Sequence, residues 1–292
     1  MMICEGIELD NSPIFRRVIQ AVCDVARRPL AELRILDLGS AHGSYSIELA
    51  TRGARVLGIE GREAWLEQAR CKARELSLSN VEFVQDDVRN LSRDKYGDFD
   101  IVLCLGILYH LDVPDVLEFV GRVSEVCRDF SVFETRVVAA PVVSHDWRAN
   151  RYWGMSTCEH PPGASDDDKL KNLGASLDNE HSFEFTRTSL CNILRNTGFT
   201  SVYDCLNPMA YLSVGAEREV KLWGNRVTLA AIKGQPVNLS IRAAPDLPWP
   251  ENPEEHLFER FLASRSSNTD ARAHSTARRI ARRLRSWSRK LA

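Results

Sequence analysis

The chain has 292 residues, of which 44% are hydrophobic and 27% are charged, a composition typical of a globular domain with an appendage and unlike that of a disordered chain. The longest apolar stretch, near 101–109, has about half the length of a membrane-spanning helix. The start lacks the basic and apolar segments of a secretory signal, and the eight cysteines include no CxxC pair. We therefore expect a cytoplasmic protein without a zinc ribbon or a disulfide framework.

The net charge of −2 is unevenly distributed along the chain. Residues 272–292 carry seven arginines, one lysine and no acid, so that the preceding part, 1–271, has a net charge of −10. An acidic body repels phosphates. A nucleic acid is therefore a less favoured partner than a small molecule, and any polyanion should contact the tail.

Strand-like and helix-like segments alternate from Arg34 onward. The predicted strands are 34–38, 55–60, 81–85, 99–104, 130–137, 199–205 and 226–233, and the predicted helices are 44–52, 63–77, 113–127 and 187–197. Such alternation is typical of a parallel sheet with helices on both faces. We predict a Rossmann-like α/β domain over 34–235, with a mostly parallel seven-stranded sheet, preceded by a helical segment at 1–33.

Three further segments depart from this alternation. Residues 140–183 are rich in aromatic side chains but show no sustained period, which predicts an irregular insertion that acts as a lid or binding loop. The sequence predicts a proline-rich linker and a short helix over 236–270, and a basic amphipathic tail over 271–292. The tail pattern suits an anionic membrane surface or a partner protein, with RNA, packing on the chain's own acidic domain and a disordered end as alternatives.

A glycine-containing turn follows the first predicted strand, in the segment ILDLGSAHG at 35–43. Gly39 permits a sharp turn, and Gly43 allows the next helix to begin close to a ligand. Free backbone amides at a helix start favour polar or anionic ligand groups. By itself, the pattern also fits an ordinary connection between a strand and a helix.

Acidic residues follow the second and third predicted strands. Glu60 lies 21 residues after Gly39, close to the offset of about 20 expected for a carboxylate that binds ribose hydroxyls. In Gln85-Asp86-Asp87-Val88, a carboxylate could accept a hydrogen bond from the exocyclic amine of adenine, and a backbone amide could donate one to a ring nitrogen. Each acid alone fits a helix cap or a solvated loop, but the three features in register predict an adenosine site.

These motifs resemble those of the class I S-adenosylmethionine-dependent methyltransferases over about 34–235. The matching segments are DLGSAHG at 37–43, GIEGR at 58–62, VEFVQDDV at 81–88 and FDIVLCLGILYHL at 99–111. The resemblance implies S-adenosylmethionine as cofactor and S-adenosylhomocysteine as product. The implied cofactor-binding residues are Asp37, Gly39, Ser40, Ala41 and Gly43 for the methionine end, Glu60 and Gly61 for ribose, Asp86, Asp87 and Val88 for adenine, and Cys104 and Leu105 as the edge of the pocket.

Two points qualify this resemblance. Ala41 stands where the family usually has glycine. A nicotinamide dinucleotide would need closely spaced glycines in the turn, and the spacing from Gly39 to Gly43 does not provide them. The pattern therefore favours the sulfonium cofactor.

Two histidines are candidate general bases for in-line methyl transfer. His110 follows the fourth predicted strand and should lie at the carboxyl edge of the sheet, where ligands bind; pinning the following helix is an equally good interpretation. His145 belongs to the set His145-Asp146-Trp147-Arg148 inside the insertion, a combination that suits sugars and aromatic rings. The residues predicted to contact substrate are Tyr109, Glu134, Trp147, Arg148, Tyr152, Trp153 and His181, with anchoring of the loop as the alternative role for the aromatic side chains.

The sequence predicts no metal site, because Cys158 and His160 lack further candidate ligands nearby. A catalytic magnesium ion is compatible with the pattern but is not predicted. We expect O-methylation of a hydroxylated small molecule or sugar. The alternatives are an RNA-modifying transferase, since GILYHLDVP resembles a motif of the enzymes that modify the wobble uridine of tRNA, and a regulatory protein that binds the cofactor without catalysis.

Overall fold

The computed structural model describes residues 12–138, 141–205 and 226–234. The α-helices in these ranges are α1 Pro13–Val25, α2 Ser44–Thr51, α3 Glu63–Glu75, α4 Arg93–Tyr96, α5 Asp115–Val126, α6 Asp166–Lys171 and α7 Arg187–Asn196. The strands are β1 Arg34–Leu38, β2 Arg55–Glu60, β3 Val81–Gln85, β4 Phe99–Leu105, β5 Cys127–Arg136, β6 Val143–Trp147, β7 Asn150–Cys158, β8 His181–Phe185, β9 Ser201–Asp204 and β10 Arg226–Ile232. Short 3-10 helices lie at Leu30–Glu32, Val88–Asn90 and Leu108–His110.

The larger sheet has seven strands in the order β3-β2-β1-β4-β5-β10-β9. The first five strands of this order are parallel to one another, and β10 is antiparallel to both β5 and β9. The predicted mostly parallel α/β sheet is therefore confirmed. β5 begins at Cys127 rather than at residue 130, because α5 ends at Val126 and leads directly into the strand.

Helices cover both faces of this sheet. Ile35 of β1 and Ile101 of β4 pack into a core with residues of α1 and α2. Their chain neighbours Leu36 and Val102 pack into a second core with residues of α5 and α7. Since successive side chains of a strand point to opposite faces, the two cores lie on opposite sides of the sheet.

Helix α1 occupies part of the segment predicted as helical at 1–33. Ser12 caps it by accepting a hydrogen bond from the amide of Phe15 at 3.2 Å, and Pro13 fills the first helical position, where no amide donor is needed. The predicted linker at 236–270 and the predicted basic tail at 271–292 lie outside the described residues, so their roles stay predictions.

The insertion predicted to be irregular is a second sheet instead. β6, β7 and β8 form an antiparallel three-stranded sheet in that order. The β6–β7 turn places Arg148 and Ala149 at positive φ of 47° and 63°, as a tight two-residue hairpin turn requires. The prediction of an irregular loop was wrong because the three strands are short and only β7 shows a partial alternation of buried and less buried residues, so the sequence gives no sustained period.

Within the described ranges, every helix falls short of the length and apolar character required to cross a membrane. Cys71 takes part in a disulfide bond, which the scattered cysteine pattern did not predict.

Candidate functional site

A pocket lies at the carboxyl ends of β1, β2 and β4, where ligands bind in open α/β sheets. One wall comes from the glycine turn and the ends of the neighbouring strands, and the opposite wall comes from the segment between β7 and β8. The residues that line the pocket are Gly39, Ala41, Glu60, Gly61, Arg62, Trp65, Asp87, Val88, Arg89, Gly106, Ile107, His110, Leu111, Leu173, Ala175, Ser176, Leu177 and Asp178.

The glycine turn has the backbone shape that the sequence predicted. Gly39 has a φ of +66°, and a side chain there would come within 3.2 Å of the Ile107 side chain. Gly43 precedes α2 with a φ of +80°, and an added Cβ would lie 2.8 Å from the Phe83 ring. Ala41 takes a positive φ of 46° and still lines the pocket. Ser40 is buried, and its hydroxyl has no hydrogen-bond partner among the described residues.

Glu60 holds its carboxylate at the pocket wall. One oxygen accepts a hydrogen bond from the Ala41 amide and the other from the Arg62 amide, each at 2.9 Å. The side chain is buried, yet it borders the pocket. The adjoining Gly61 packs closely against the insertion, since an added Cβ would lie 2.4 Å from the end of the Leu177 side chain, which would have to move. The carboxylate is thus fixed in place with lone pairs left for a ligand's hydroxyl groups.

The two acids after β3 have separate roles. Asp87 lines the pocket and forms an ion pair with Arg89, which also reaches Asp178 at 2.6 Å. Asp86 does not line the pocket. Burial by itself would raise the pKa of Asp86, but hydrogen bonds from Lys95, Tyr96 and Asn90 outweigh it and lower the pKa to about 2. Asp86 therefore anchors the loop that carries Asp87 and Val88.

Six predicted cofactor residues lie outside the lining of the pocket: Ser40, Gly43 and Asp86, described above, and Asp37, Cys104 and Leu105. Asp37 is buried in β1, where desolvation raises its pKa to about 6 despite hydrogen bonds from the hydroxyl and amide of Ser46. Cys104 is fully buried, and burial raises the pKa of its thiol. Leu105 ends β4 without lining the pocket, which is bordered instead by the next residues, Gly106 and Ile107.

His110 lies on the pocket wall in the 3-10 helix after β4. Its Nδ1 atom lies 2.9 Å from a carboxylate oxygen of Glu159. Burial would raise the pKa of Glu159, but the contact with His110 and hydrogen bonds from Ser176 and Ser182 outweigh it, so the pKa lies below its usual range. The carboxylate is therefore ionised beside the imidazole at neutral pH.

Tyr109 and Glu134 form a cluster beside Gly106. The Glu134 carboxylate pairs with Arg226 at 2.9 Å, and Arg226 also donates to the Tyr109 hydroxyl at 2.8 Å. Burial raises the pKa of Glu134, only partly offset by the guanidinium of Arg226. Arg136 stacks over the Tyr109 ring at 4.4 Å. Both predicted substrate residues are thus bound to protein groups and do not line the pocket.

The other residues predicted to contact substrate, and His145, lie away from the pocket. The His145 ring packs against the Phe183 ring at 5.2 Å, and the Trp147 indole donates to Glu118 of α5 at 2.7 Å. The remaining members have anchoring or surface positions: Arg148 stacks on Trp147, the buried Tyr152 accepts from Asn196, the Trp153 amide donates to Ser189, and His181 is exposed. The hairpin aromatic side chains therefore attach the second sheet to α5 and α7.

The insertion contributes to the pocket through residues that the sequence did not single out. Arg62 donates to the carbonyl oxygens of Asn172, Ala175 and Ser176 at 2.9 to 3.1 Å and thereby holds residues 173–178 over the pocket. Desolvation lowers the pKa of Arg62, although Glu60 and Glu159 act against it.

A signal for some of the missed residues is present in the sequence. Arg62 and Trp65 directly follow the predicted ribose-binding acid, and Arg89, Gly106 and Ile107 adjoin predicted residues. Glu159 and 173–178 are distant in sequence from those motifs, and no local pattern marks them. Among the described ranges, no group of three or more His, Cys, Asp or Glu side chains is placed to hold a metal ion.

Comparisons with known proteins agree with this architecture. Residues 35–129 match a family model described as a methyltransferase domain. A ubiquinone biosynthesis O-methyltransferase from Acinetobacter baylyi is 40% identical over 86 residues, which are 30% of this chain and 35% of that protein. The chain therefore matches only about a third of the length of this curated relative.

Two solved structures resemble the described fold. The N-terminal domain of EvdMO1, determined in the presence of S-adenosylhomocysteine and D-fucose, has 21% identity and a TM-score of 0.58, with 80% of this chain and 90% of that chain covered. The 1,6-didemethyltoxoflavin-N1-methyltransferase of Burkholderia thailandensis has 18% identity and a TM-score of 0.50, with 77% and 80% covered. Residues 35–129 thus resemble the methyltransferase-domain family, and the described fold is the one found in these class I S-adenosylmethionine-dependent methyltransferases.

Proposed function

We propose that this chain is an S-adenosylmethionine-dependent methyltransferase that methylates a hydroxyl oxygen of a small molecule or sugar and releases S-adenosylhomocysteine. The observation that carries the proposal is one pocket in which the anchored carboxylate of Glu60 and the imidazole of His110 both border the glycine turn. This combination joins a nucleoside-binding group to a group that can accept a proton.

The lining residues fit the proposed cofactor. Glu60 would bind the ribose hydroxyls, since its carboxylate is held by two backbone amides and faces the pocket. Asp87 and Val88 would border adenine, and the turn at Gly39 and Ala41 would receive the methionine end. When bound, S-adenosylmethionine supplies a methyl group activated by its sulfonium centre for in-line displacement.

The chain's own part in the reaction is to orient the acceptor and remove its proton. His110 lines the pocket and would accept the hydroxyl proton at its pocket-facing nitrogen as the oxygen attacks. Tyr109 and Glu134 do not line this pocket, and they would approach an acceptor only if it extends past Gly106, which lies close to the Tyr109 hydroxyl. Residues 173–178 would cover the cofactor and limit the access of water.

The choice of acceptor class rests on relatives and on charge. The ubiquinone biosynthesis enzyme and the toxoflavin methyltransferase are named for small molecules, and the EvdMO1 domain was determined in the presence of D-fucose. A 23S rRNA methyltransferase also occurs among the similar proteins, so the relatives alone do not decide the acceptor class. The acidic body of the chain disfavours RNA. Cytoplasmic location and contact of the tail with an anionic membrane remain parts of the proposal.

Calorimetry with S-adenosylhomocysteine tests the cofactor site. We expect saturable binding by the full chain and a loss of at least about tenfold in affinity for Glu60→Ala, because a charge-assisted hydrogen bond contributes about 1.5 to 3 kcal/mol. Glu82→Ala is the matched control, since Glu82 is an exposed acid on the adjacent strand β3. Absence of binding heat in the wild type, or equal losses in both variants, would contradict the proposed site.

Transfer of radiolabelled methyl groups to a panel of monosaccharides, phenols and tRNA tests the reaction. We expect labelling of a hydroxylated small molecule, at a rate that His110→Gln lowers at least about a hundredfold while S-adenosylhomocysteine still binds, as loss of a general base requires. Labelling of tRNA alone would overturn the acceptor class. Full activity of His110→Gln would remove His110 as the base.

A further inference from the structure

The Glu159 carboxylate connects the insertion to the pocket histidine. Glu159 follows β7 directly, and its side chain is 8% exposed. One of its oxygens lies 2.9 Å from Nδ1 of His110. The two residues are separated by 49 positions in the sequence, so only the folding of the second sheet brings them together.

Glu159 is held firmly in this position. The oxygen that faces His110 also accepts a hydrogen bond from the Ser176 amide at 2.7 Å, and the other oxygen accepts from the Ser182 hydroxyl at 2.9 Å. Both donors belong to the insertion. An ionised carboxylate only accepts hydrogen bonds, so the imidazole nitrogen that faces it must carry a proton.

The backbone around His110 is fixed as well. Its amide donates to the Ile107 carbonyl oxygen at 3.0 Å, and its carbonyl oxygen accepts from the Asn179 side chain at 3.3 Å. Asn179, like Glu159, lies in the connection between β7 and β8. The insertion therefore holds both the main chain and the Nδ1 side of the histidine ring, whereas Nε2 has no hydrogen-bond partner among the described residues.

We propose that Glu159 is a positioning residue that keeps neutral His110 in the tautomer with the proton on Nδ1, leaving the lone pair of Nε2 free to accept a proton in the pocket. Nε2 is the more common protonation site of a free neutral imidazole, so the carboxylate changes which nitrogen is basic. The use of Nε2 as a base rests on the proposed methyl transfer. The tautomer itself does not, and it is observable without turnover.

The nitrogen chemical shifts of His110 in the full chain, labelled with ¹⁵N-histidine and saturated with S-adenosylhomocysteine, test this proposal. His110→Gln identifies the signals by their disappearance, and the exposed His181 is an internal reference. At mildly alkaline pH, we expect the wild type to show a protonated Nδ1 and an unprotonated Nε2. We expect Glu159→Ala to convert His110 to a mixture in which Nε2 carries most of the proton.

Glu159→Met provides a second variant that preserves side-chain volume while removing the acceptor, in case the alanine variant does not fold. Glu180→Ala is the matched control, because Glu180 lies in the same connection and its carboxylate accepts only from the Gly163 amide, at 3.3 Å, among the described residues. A wild-type His110 with its proton on Nε2, or a tautomer unchanged in the Glu159 variants, would overturn the proposal.

Calorimetry separates this proposal from that of the cofactor site. We expect the folded Glu159 variant to bind S-adenosylhomocysteine within about twofold of the wild-type affinity, because Glu159 lies behind His110 and does not line the pocket. If the Glu159 variant lost S-adenosylhomocysteine binding together with the tautomer, Glu159 would support the pocket cover. This outcome would overturn its role as a specific positioning residue. Failure of the wild type to bind would contradict the proposed function and leave the tautomer measurable in the ligand-free protein.

Discussion

The two sheets of this protein bury their side chains in different ways. Strand β4 of the seven-stranded sheet is buried at almost every position, because helices cover both of its faces. Strand β7 of the three-stranded sheet buries Tyr152 and Gly154 and exposes much of the remainder. A strand that is buried on both faces has a continuous run of apolar residues, whereas a strand that is buried on one face alternates apolar and polar residues. The strands of the first sheet were therefore recognisable as apolar runs, whereas the second sheet has short strands without an apolar run or a sustained alternation.

The two regions also contribute to the pocket by different means. The parallel sheet supplies the floor through backbone geometry, as at the glycine turn around Gly39. The insertion supplies the cover, which is held by side chains such as Arg62 and Arg89 that reach across the pocket. Since side-chain contacts of this kind are easier to open than a central parallel strand, we expect the floor to be rigid and the cover to open locally.

The largest expected effect is the loss of the second sheet in Gly154→Ala. An added Cβ would lie 2.2 Å from the carbonyl oxygen of Glu184 on the neighbouring strand, so the backbone would have to separate, at a cost of roughly 4 kcal/mol. Hydrogen exchange should accelerate in β6 to β8 while protection in β1 to β5 is retained, because the two sheets do not share a strand ladder.

Gly174→Ala is the control for this variant, since a Cβ there meets no atom closer than 4.0 Å. It should exchange like the wild type. Simultaneous loss of protection in both sheets of Gly154→Ala would show that they unfold as one unit and would remove the distinction between a rigid floor and an opening cover.

The pKa values of two buried acids, one in each region, are shifted in opposite directions. Their contributions to the free energy of unfolding should therefore change with pH in opposite ways. Desolvation raises the pKa of Asp37 to about 6 in the parallel sheet, whereas hydrogen bonds hold the pKa of Glu159 below its usual range. Between the ordinary value of 3.8 and about 6, folded Asp37 keeps a proton that the unfolded chain has lost. The contribution of Asp37 to the free energy of unfolding therefore falls as pH rises through this range, by on the order of 3 kcal/mol.

Asp37→Asn isolates this contribution. Urea unfolding at a series of pH values should show that the variant lacks the decline between about pH 4 and pH 6, so that it becomes more stable relative to the wild type as the pH rises. Asp24→Asn, an exchange on the surface of α1, should leave the wild-type profile unchanged. Parallel profiles for the wild type and Asp37→Asn would show that Asp37 is already ionised in the folded protein at acidic pH.

Arg62→Ala tests whether the cover is held by side chains. The variant removes the donor to three carbonyl oxygens of the segment over the pocket, which should favour opening by about 2 kcal/mol, or roughly thirtyfold. Release of S-adenosylhomocysteine, followed through the fluorescence of the pocket residue Trp65, should accelerate by a similar factor. Arg74→Ala on the exposed side of α3 should have no effect. Unchanged release from Arg62→Ala would mean that another contact holds the cover closed.

The site residues that the sequence predicted are those whose positions depend on local spacing along the chain. The turn at Gly39, the acid Glu60 and the pocket histidine His110 occupy strand ends in a repeating strand–helix pattern, so local periodicity and spacing were sufficient to place them at one edge of the sheet. Glu159 and Arg62 gain their roles from contacts across 49 and more than 100 positions, which no local pattern encodes.

The positions of the hairpin residues outside the pocket lining have the same origin. A tryptophan beside a histidine and an arginine has the same composition in a sugar site as in an anchor, and only the position of α5 shows that Trp147 is an anchor. Composition therefore indicated the chemical capacity of this segment, while tertiary packing decided its use.

Trp147→Phe tests that anchor and has the smallest expected effect. Phenylalanine keeps an aromatic ring at this position but loses the outer edge of the indole, which faces Gly121 of α5, and the hydrogen bond from the indole to Glu118, which is 2.7 Å long. Because Glu118 keeps access to water once the indole is removed, the free energy of unfolding should fall by only about 1 kcal/mol. Trp147→Ala should cost several times more, since it also removes the packed ring. Both variants should leave S-adenosylhomocysteine affinity unchanged, because the hairpin does not line the pocket; a loss of affinity in the folded Trp147→Phe protein would show that the hairpin and the pocket cover move together.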